Sequence, residues 1–283
     1  MRRGRIDPVS LALRAVTYLA AAAAMAAGLG MVGFILFKGI PRITPSLFAW
    51  RYTSENVSMT PAMVNTVMMT AMALLIAVPL GALAAVYLAE YARRGSRVVR
   101  IIRMASETLA GIPSIVYGLF GFLFFVVALK WGLSMLAGAF TLSIMILPLI
   151  MRTAEEALLA VPDMYREGSF ALGAGRVRTV FRVALPAAAP GILAGVILAI
   201  GRVVGESAAL ILTAGTAARA TGSLMKSGRT MAVHMYNLSS EGMHIDQTYA
   251  TAVVLIALVA AINALSSWAA RKAERAMTGG GGG

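Results

Sequence analysis

Cysteine is absent from the 283 residues, which excludes disulfides, thiolate nucleophiles and cysteine metal sites and leaves the redox compartment unread. Charge is scarce as well. Only 13% of residues are Asp, Glu, Lys or Arg, about half of what a soluble domain carries. Histidine occurs twice, at His234 and His244, ten apart in a polar stretch; that spacing does not put both rings on one helical face, so they read as loop polarity and not as a metal pair. No Gly-x-x-x-x-Gly-Lys-Ser/Thr occurs, and none of the four lysines follows a glycine-rich turn, so the sequence offers no ATP site of that kind. No Ser/His/Asp set or carboxylate pair converges on one level, which argues against a membrane enzyme.

Hydrocarbon fills the composition instead: 59% of residues are hydrophobic and the mean hydropathy is +0.80. Apolar stretches of 18 or more residues recur, each long enough to cross roughly 30 Å of hydrocarbon as a helix. Backbone groups in lipid must bond internally, so an all-α integral membrane bundle follows. Six spans are predicted, at residues 16–37, 62–89, 108–129, 133–151, 191–213 and 248–270. With the N-terminus inside, seventeen Lys and Arg fall in the inner segments and seven in the outer ones, so both termini are expected to be cytoplasmic. The formal charge of +13 is thereby a topology signal, since the basic residues flank spans and form no aromatic-interleaved stripe for nucleic acid. The first apolar run, about 22 residues, exceeds the 7 to 15 of a signal peptide, and the glycine run at the C-terminus reads as a flexible end. Pro79, Pro113 and Pro148 fall inside spans and are expected to kink them. Gly191-xxx-Gly195 and Gly201-xxx-Gly205 bring small residues onto a helix surface, for packing within the chain or between subunits.

Between the fourth and fifth spans lies AEEALLAVPDMYREGSFALGAGRVRTVFRVALPAAAP, too patterned for a plain connector. Pro162 suits a first helical position, Asp163 complements a positive helix end and Gly173 suits a left-handed cap. A second short amphipathic helix is expected from about Arg176, stopping before Pro186. On lipid headgroups such a helix would be interfacial. A different pattern is also present: Glu167-Gly168-Ser169, three residues, Gly173, nine residues, then Val183-Ala184-Leu185-Pro186. It resembles the EAA loop of ABC importer permeases at every spacing, departing at Gly168, Ser169 and Val183. The stretches PLGALAAVYLAEYA, LAGIPSIVYGLFG and LAIGRVVGESAALILTAG are similar to the membrane subunits of the phosphate importer, and GESAALILTAG and YNLSSEGMHIDQTYATAVVLIALV lean towards the PstA-type subunit.

The resemblance implies a type I, MetI-like permease fold, with an N-terminal segment, first span and external loop at 1–61, a five-helix core at 62–270 carrying a cytoplasmic coupling loop at 152–190, and a cytoplasmic tail at 271–283. It implies an importer of inorganic phosphate in a bacterial-type plasma (inner) membrane, with a sister permease, two ATPase subunits holding ATP and magnesium, and an external binding protein as partners. Related permeases for phosphonate, sulfate or molybdate share the loop. An ATP-independent secondary transporter would instead predict inverted repeats, and none is convincing here. Glu167 and Gly173, with Arg166, Leu172, Leu185 and Pro186, would dock on the ATPase.

Inside the fifth span, GRVVGES places Arg202 and Glu206 in an otherwise apolar run. Arg202, eleven residues after Gly191, would lie about 17 Å deep, near the bilayer centre, with Glu206 one turn on and on the same face. A charge there costs about 2.5 to 3.5 kcal/mol on insertion scales, so both should meet protein or water. They either neutralise each other structurally, or Arg202 offers an anion a donor fork that Glu206 orients, with Ser207 beside them. Glu90 and Glu107 flank Arg93 to Arg103 and are expected to pair with those arginines; Asn65, Ser114 and Tyr117 are weaker candidates.

Overall fold

The computed structural model describes residues 8–93 and 95–278; the expected flexible glycine end at 279–283 lies outside them. Helix α1 (Pro8–Gly39) is followed by two short 3-10 turns, and α2 (Thr60–Val86) ends in a π turn at Tyr87–Tyr91. Next come α3 (Arg97–Ala110), α4 (Ser114–Gly121) with a π segment to Ala128, and α5 (Met135–Leu159). The short α6 (Asp163–Ala171) and α7 (Arg176–Thr179) lead through a π turn at Val180–Ala184 into α8 (Leu185–Val204), and α9 (Ala208–Thr213), α10 (Met231–Glu241) and α11 (Ile245–Thr278) complete the chain. No strand occurs among the described residues. Five helices are long and apolar enough to cross a membrane, and the pair α3 and α4, bent by 101°, makes a sixth if counted as one span.

The third predicted span therefore is not one straight helix. Pro113 lacks an N–H and disfavours a helical residue before it; the chain closes two tight turns, Gly111 N to Thr108 O at 3.2 Å and Ile112 N to Leu109 O at 3.0 Å, and restarts at Ser114. The Tyr117 hydroxyl ties across the bend by donating to Leu109 O at 2.8 Å. Pro79, Pro148 and Pro190, by contrast, lie inside continuous helices.

Helix α5 is the centre of the bundle. Its Leu142, Met145, Ile146 and Ile150 meet Met69, Ala73 and Ala77 of α2 and Ala199 and Val203 of α8 in one buried cluster. Small residues set the spacing, because a Cβ on Gly81 would come within 2.8 Å of Ile150, on Gly191 within 2.6 Å of Ala157, and on Gly195 within 2.0 Å of the Thr153 hydroxyl. The first small-residue pair thus packs within the chain, whereas nothing lies within 4 Å of a Cβ on Gly201. Helix α1 stands on the outside, touching α11 near its own end through Phe34 against Tyr249, ring centroids 5.9 Å apart, and Gly39 against the Tyr249 carbonyl. Its exposed Leu, Val, Met and Phe side chains suit lipid.

Candidate functional site

At the end of the bundle where α2 and α5 finish, α6 lies across the surface and buries none of its residues. Pro162 is its N-cap, one position ahead of the expected one, and Asp163 occupies the first turn. Gly173 has φ +80° with open space around it, a left-handed turn that glycine adopts at no steric cost; its N–H donates to Phe170 O at 2.9 Å. Glu167 is exposed, Leu172 is 90% exposed, and Met164, Tyr165 and Phe170 also face outward. The other end of the motif behaves differently. Leu185 and Pro186 begin α8, half-buried, and Leu185 packs against Val180 and Ala184. The helix starting at Arg176 does not stop before Pro186 but runs on to Val204: Leu185 N–H bonds Val180 O, five residues back, and this widened turn accommodates a proline ring that an α turn would press against a carbonyl.

Arg166 reaches from the loop to a different span. Its Nε donates to Glu90 Oε1 at 3.1 Å and Oε2 at 3.3 Å, Nη2 to Glu90 Oε1 at 2.6 Å and Leu158 O at 2.8 Å, and Nη1 to Val161 O at 2.7 Å and Asp163 Oδ1 at 3.3 Å. The hydrogen bonds to Glu90 hold its guanidinium above the ordinary value although burial acts the other way. Arg176 donates to the Glu90 carbonyl and lies 5.0 Å from the Tyr91 ring centre. Among the described residues Glu90 therefore pairs with Arg166 and not, as its sequence position suggested, with any of the arginines from Arg93 to Arg103. Arg103 is held by the buried Glu155, Nε to Oε1 at 2.8 Å, and Glu107 faces Arg152 at 4.0 Å. No local signal links residues 76 apart in sequence, as Glu90 and Arg166 are.

The two charges of GRVVGES do not share one helix face, because α8 ends at Val204 and Gly205 caps it. Arg202 is in the last turn of α8, where a cation meets the negative helix end, and Glu206 precedes α9, its Oε1 accepting from Ala209 N at 3.1 Å, where an anion meets the positive end. Among the described residues they form no ion pair. Each charge is tolerated at a helix end, not by the other. Ser207 is the backbone N-cap of α9 without a side-chain cap. Helices α9 and α4 pack side by side and parallel, since a Cβ on Gly118 would meet Ala209 and one on Gly121 would meet Thr213. Arg202 and Ser207 thus stand on the two sides of the break between α8 and α9, and α4, along which α9 packs, begins at the break after Ala110.

At the opposite end, Asn65 is fully buried; its Nδ2 donates to Arg219 O at 2.8 Å and Arg229 O at 3.1 Å, and its Oδ1 accepts from Thr221 N at 3.2 Å and Thr221 Oγ1 at 3.1 Å. It clamps the 216–230 connector. Arg229 is buried, its guanidinium 4.4 Å from the Tyr52 ring centre. The reading of both histidines as loop polarity fails for His234, which is buried in α10 with its ring edge-on to Tyr52 at 6.1 Å. Burial, and then the Arg229 charge, push its imidazole down to about 3; the Val57 backbone lies beside the ring but outside hydrogen-bonding geometry.

A helix bundle with an exposed surface helix that carries the EAA-like spacing is the arrangement that the resemblance to importer permeases implied. A family of proteins described as binding-protein-dependent transport system inner membrane components matches residues 77–279, and the chain belongs to it. It is 32% identical over 268 residues to the probable ABC transporter permease protein YqgI of Bacillus subtilis, 88% of this chain and 91% of that one. It is 37% identical over 193 residues to the phosphate transport system permease protein PstA of Haemophilus influenzae, 66% of this chain and 68% of that one, and it spans about half the length of the mycobacterial PstA proteins it also matches. The resemblance to PstA-type permeases is thus borne out. A chain of the inward-facing MetNI methionine ABC transporter superposes with a TM-score of 0.57 at 22% identity, covering 77% of this chain and 94% of that one, which shows the fold. The protein is a multi-pass inner-membrane permease subunit, not an enzyme.

Proposed function

We propose that the chain is one permease of an ATP-driven importer of inorganic phosphate, forming half of the translocation path beside a sister permease. Two ATPase subunits would carry ATP and magnesium and dock on the α6 end, an external binding protein would deliver the anion at the opposite end, and both termini would lie in the cytoplasm. The observation that carries this reading is α6 itself: a helix burying none of its residues, closed by a left-handed glycine, that presents Glu167, Leu172 and Gly173 outward at the spacing of an ATPase-docking loop. The exposed apolar side chains Met164, Tyr165, Phe170 and Leu172 suit a protein interface. Arg202 supports an anionic cargo, because a guanidinium fork matches a tetrahedral oxyanion and here no carboxylate is paired with it.

The test is uptake of labelled phosphate by the reconstituted complex, with phosphonate, sulfate and molybdate as competitors. Phosphate alone should compete strongly. Equal competition by another oxyanion reassigns the substrate, and Glu167→Ala or Gly173→Pro variants that keep fully coupled ATPase remove the loop from docking. Arg202→Gln with normal uptake and unchanged phosphate affinity removes that residue from the path.

A further inference from the structure

We propose that Glu90 and Arg166 form the joint through which α6 moves the α2 span, with Glu90 as the receiving anchor and Arg166 as a positioning residue; this rests on the importer reading above. A surface helix can transmit motion only through what ties it to the bundle. Helix α6 buries none of its residues, and its Ser169 hydroxyl reaches only Thr179 of the next helix, at 2.9 Å. Among the described residues its one hydrogen-bonded tie to the end of α2 is the Arg166 fork.

The fork is built to be stiff. Nε and Nη2 hold the Glu90 carboxylate together, while Nη1 and Nη2 also hold the carbonyls of Val161 and Leu158, so one planar group joins the end of α2, the end of α5 and the start of α6. Side-chain exposure is 15% for Arg166 and 9% for Glu90, so water competes weakly for the pair. Beside it lies a cleft of about 490 Å³ bordered by Ala89, Phe170 and Thr179. The anchor end is itself unusual in geometry. Glu90 lies in a π turn, Tyr87–Tyr91, whose last carbonyls are open to Arg176 on the far side of the Gly173 turn, so both limbs of the loop grip the same five residues.

The test uses the full complex with its sister permease, ATPase and binding protein, and variants Glu90→Gln and Arg166→Gln. Glu90→Gln, outside the docking residues, should retain the ATPase subunit, and in both variants uptake per ATP hydrolysed should fall about tenfold. Because the chain has no cysteine, Glu90→Cys with Arg166→Cys can be bridged by a short bis-maleimide. Bridging should restore most of the uptake per ATP that the unbridged double variant lacks, a rescue that a merely structural ion pair does not predict. Wild-type coupling in the Gln variants overturns the joint. So does loss of the assembled chain from the membrane in those variants, since the pair is then a folding element, and so does a bridged protein no better coupled than the unbridged one. A wild-type complex without ATP-driven uptake removes the importer reading itself, and is distinguishable because it fails before any variant is compared.

Discussion

At the α6 end Arg166 directs its donors to two carboxylates and two backbone carbonyls, whereas at the opposite end Arg229, more deeply buried, lies on the Tyr52 ring with its Nη2 lacking a hydrogen-bond partner. The better buried arginine is the less paired one. The α6 end is a place where a single charge pair fixes the relation between two elements, so it can be loosened by one substitution. The other end is held by neutral ties: Asn65 across the connector, Thr66 Oγ1 accepting from Met231 N at 2.8 Å, and the Leu47, Met59 and Met231 cluster. There the arginine is a passenger of the packing.

That contrast is broken most sharply by truncating each arginine. Arg166→Ala leaves the shielded Glu90 carboxylate without its partner and should destabilise the purified protein by about 3 kcal/mol, whereas Arg229→Ala removes an unpaired buried cation and loses only ring contact and packing, about 1 kcal/mol. Denaturation midpoints decide it, and an equal or larger loss for Arg229→Ala means that this end too is held by charge. Gly195→Val tests the packing that both ends share: the added carbons would strike Thr153 and should cost roughly 2 kcal/mol, while Gly201→Ala, with open space around it, should be close to neutral in the same assay.

Acid should loosen the Arg229 end selectively. His234 ordinarily titrates at 6.5 and in the fold at about 3, so between those values the unfolded chain binds a proton that the folded chain refuses. Stability should therefore fall as pH drops below 6.5, by about 1.4 kcal/mol per unit, with no contribution from this group above it. His234→Phe should flatten that slope, and an unchanged slope assigns the acid sensitivity elsewhere. The smallest effect belongs to Arg152 with Glu156, an exposed i,i+4 pair; Arg152→Ala should leave the midpoint nearly unchanged, and a clear shift would show that Glu107 contributes more than its 4.0 Å separation suggests.

Much of the site was legible along the chain. The Glu167 to Pro186 spacing located the surface helix, and the need for φ > 0 located its glycine cap, because both are consequences of local backbone geometry. Arg202 and Glu206 stood out as charges in an apolar run, but a continuous helix was assumed between them. The break at Gly205 is invisible to hydropathy, since glycine and serine interrupt the apolar pattern no more there than at Gly191 or Gly195, where the helix continues. Glu90 was assigned to the nearest basic cluster in sequence, and the fold gave it to a residue on another element.

Composition alone determined that this chain lives in a membrane as helices, because scarce charge and long apolar runs leave the backbone no other way to satisfy its hydrogen bonds. Local residues also determined where α6 turns and where Pro113 breaks the third span. Only the tertiary structure decided which carboxylate Arg166 holds, that His234 is buried, and that Arg202 and Glu206 stand at separate helix ends. Those outcomes depend on which helices lie side by side, and in an apolar chain that is set by how closely residues such as Gly81, Gly191 and Gly195 let backbones approach, a property of pairs of helices and not of any one stretch.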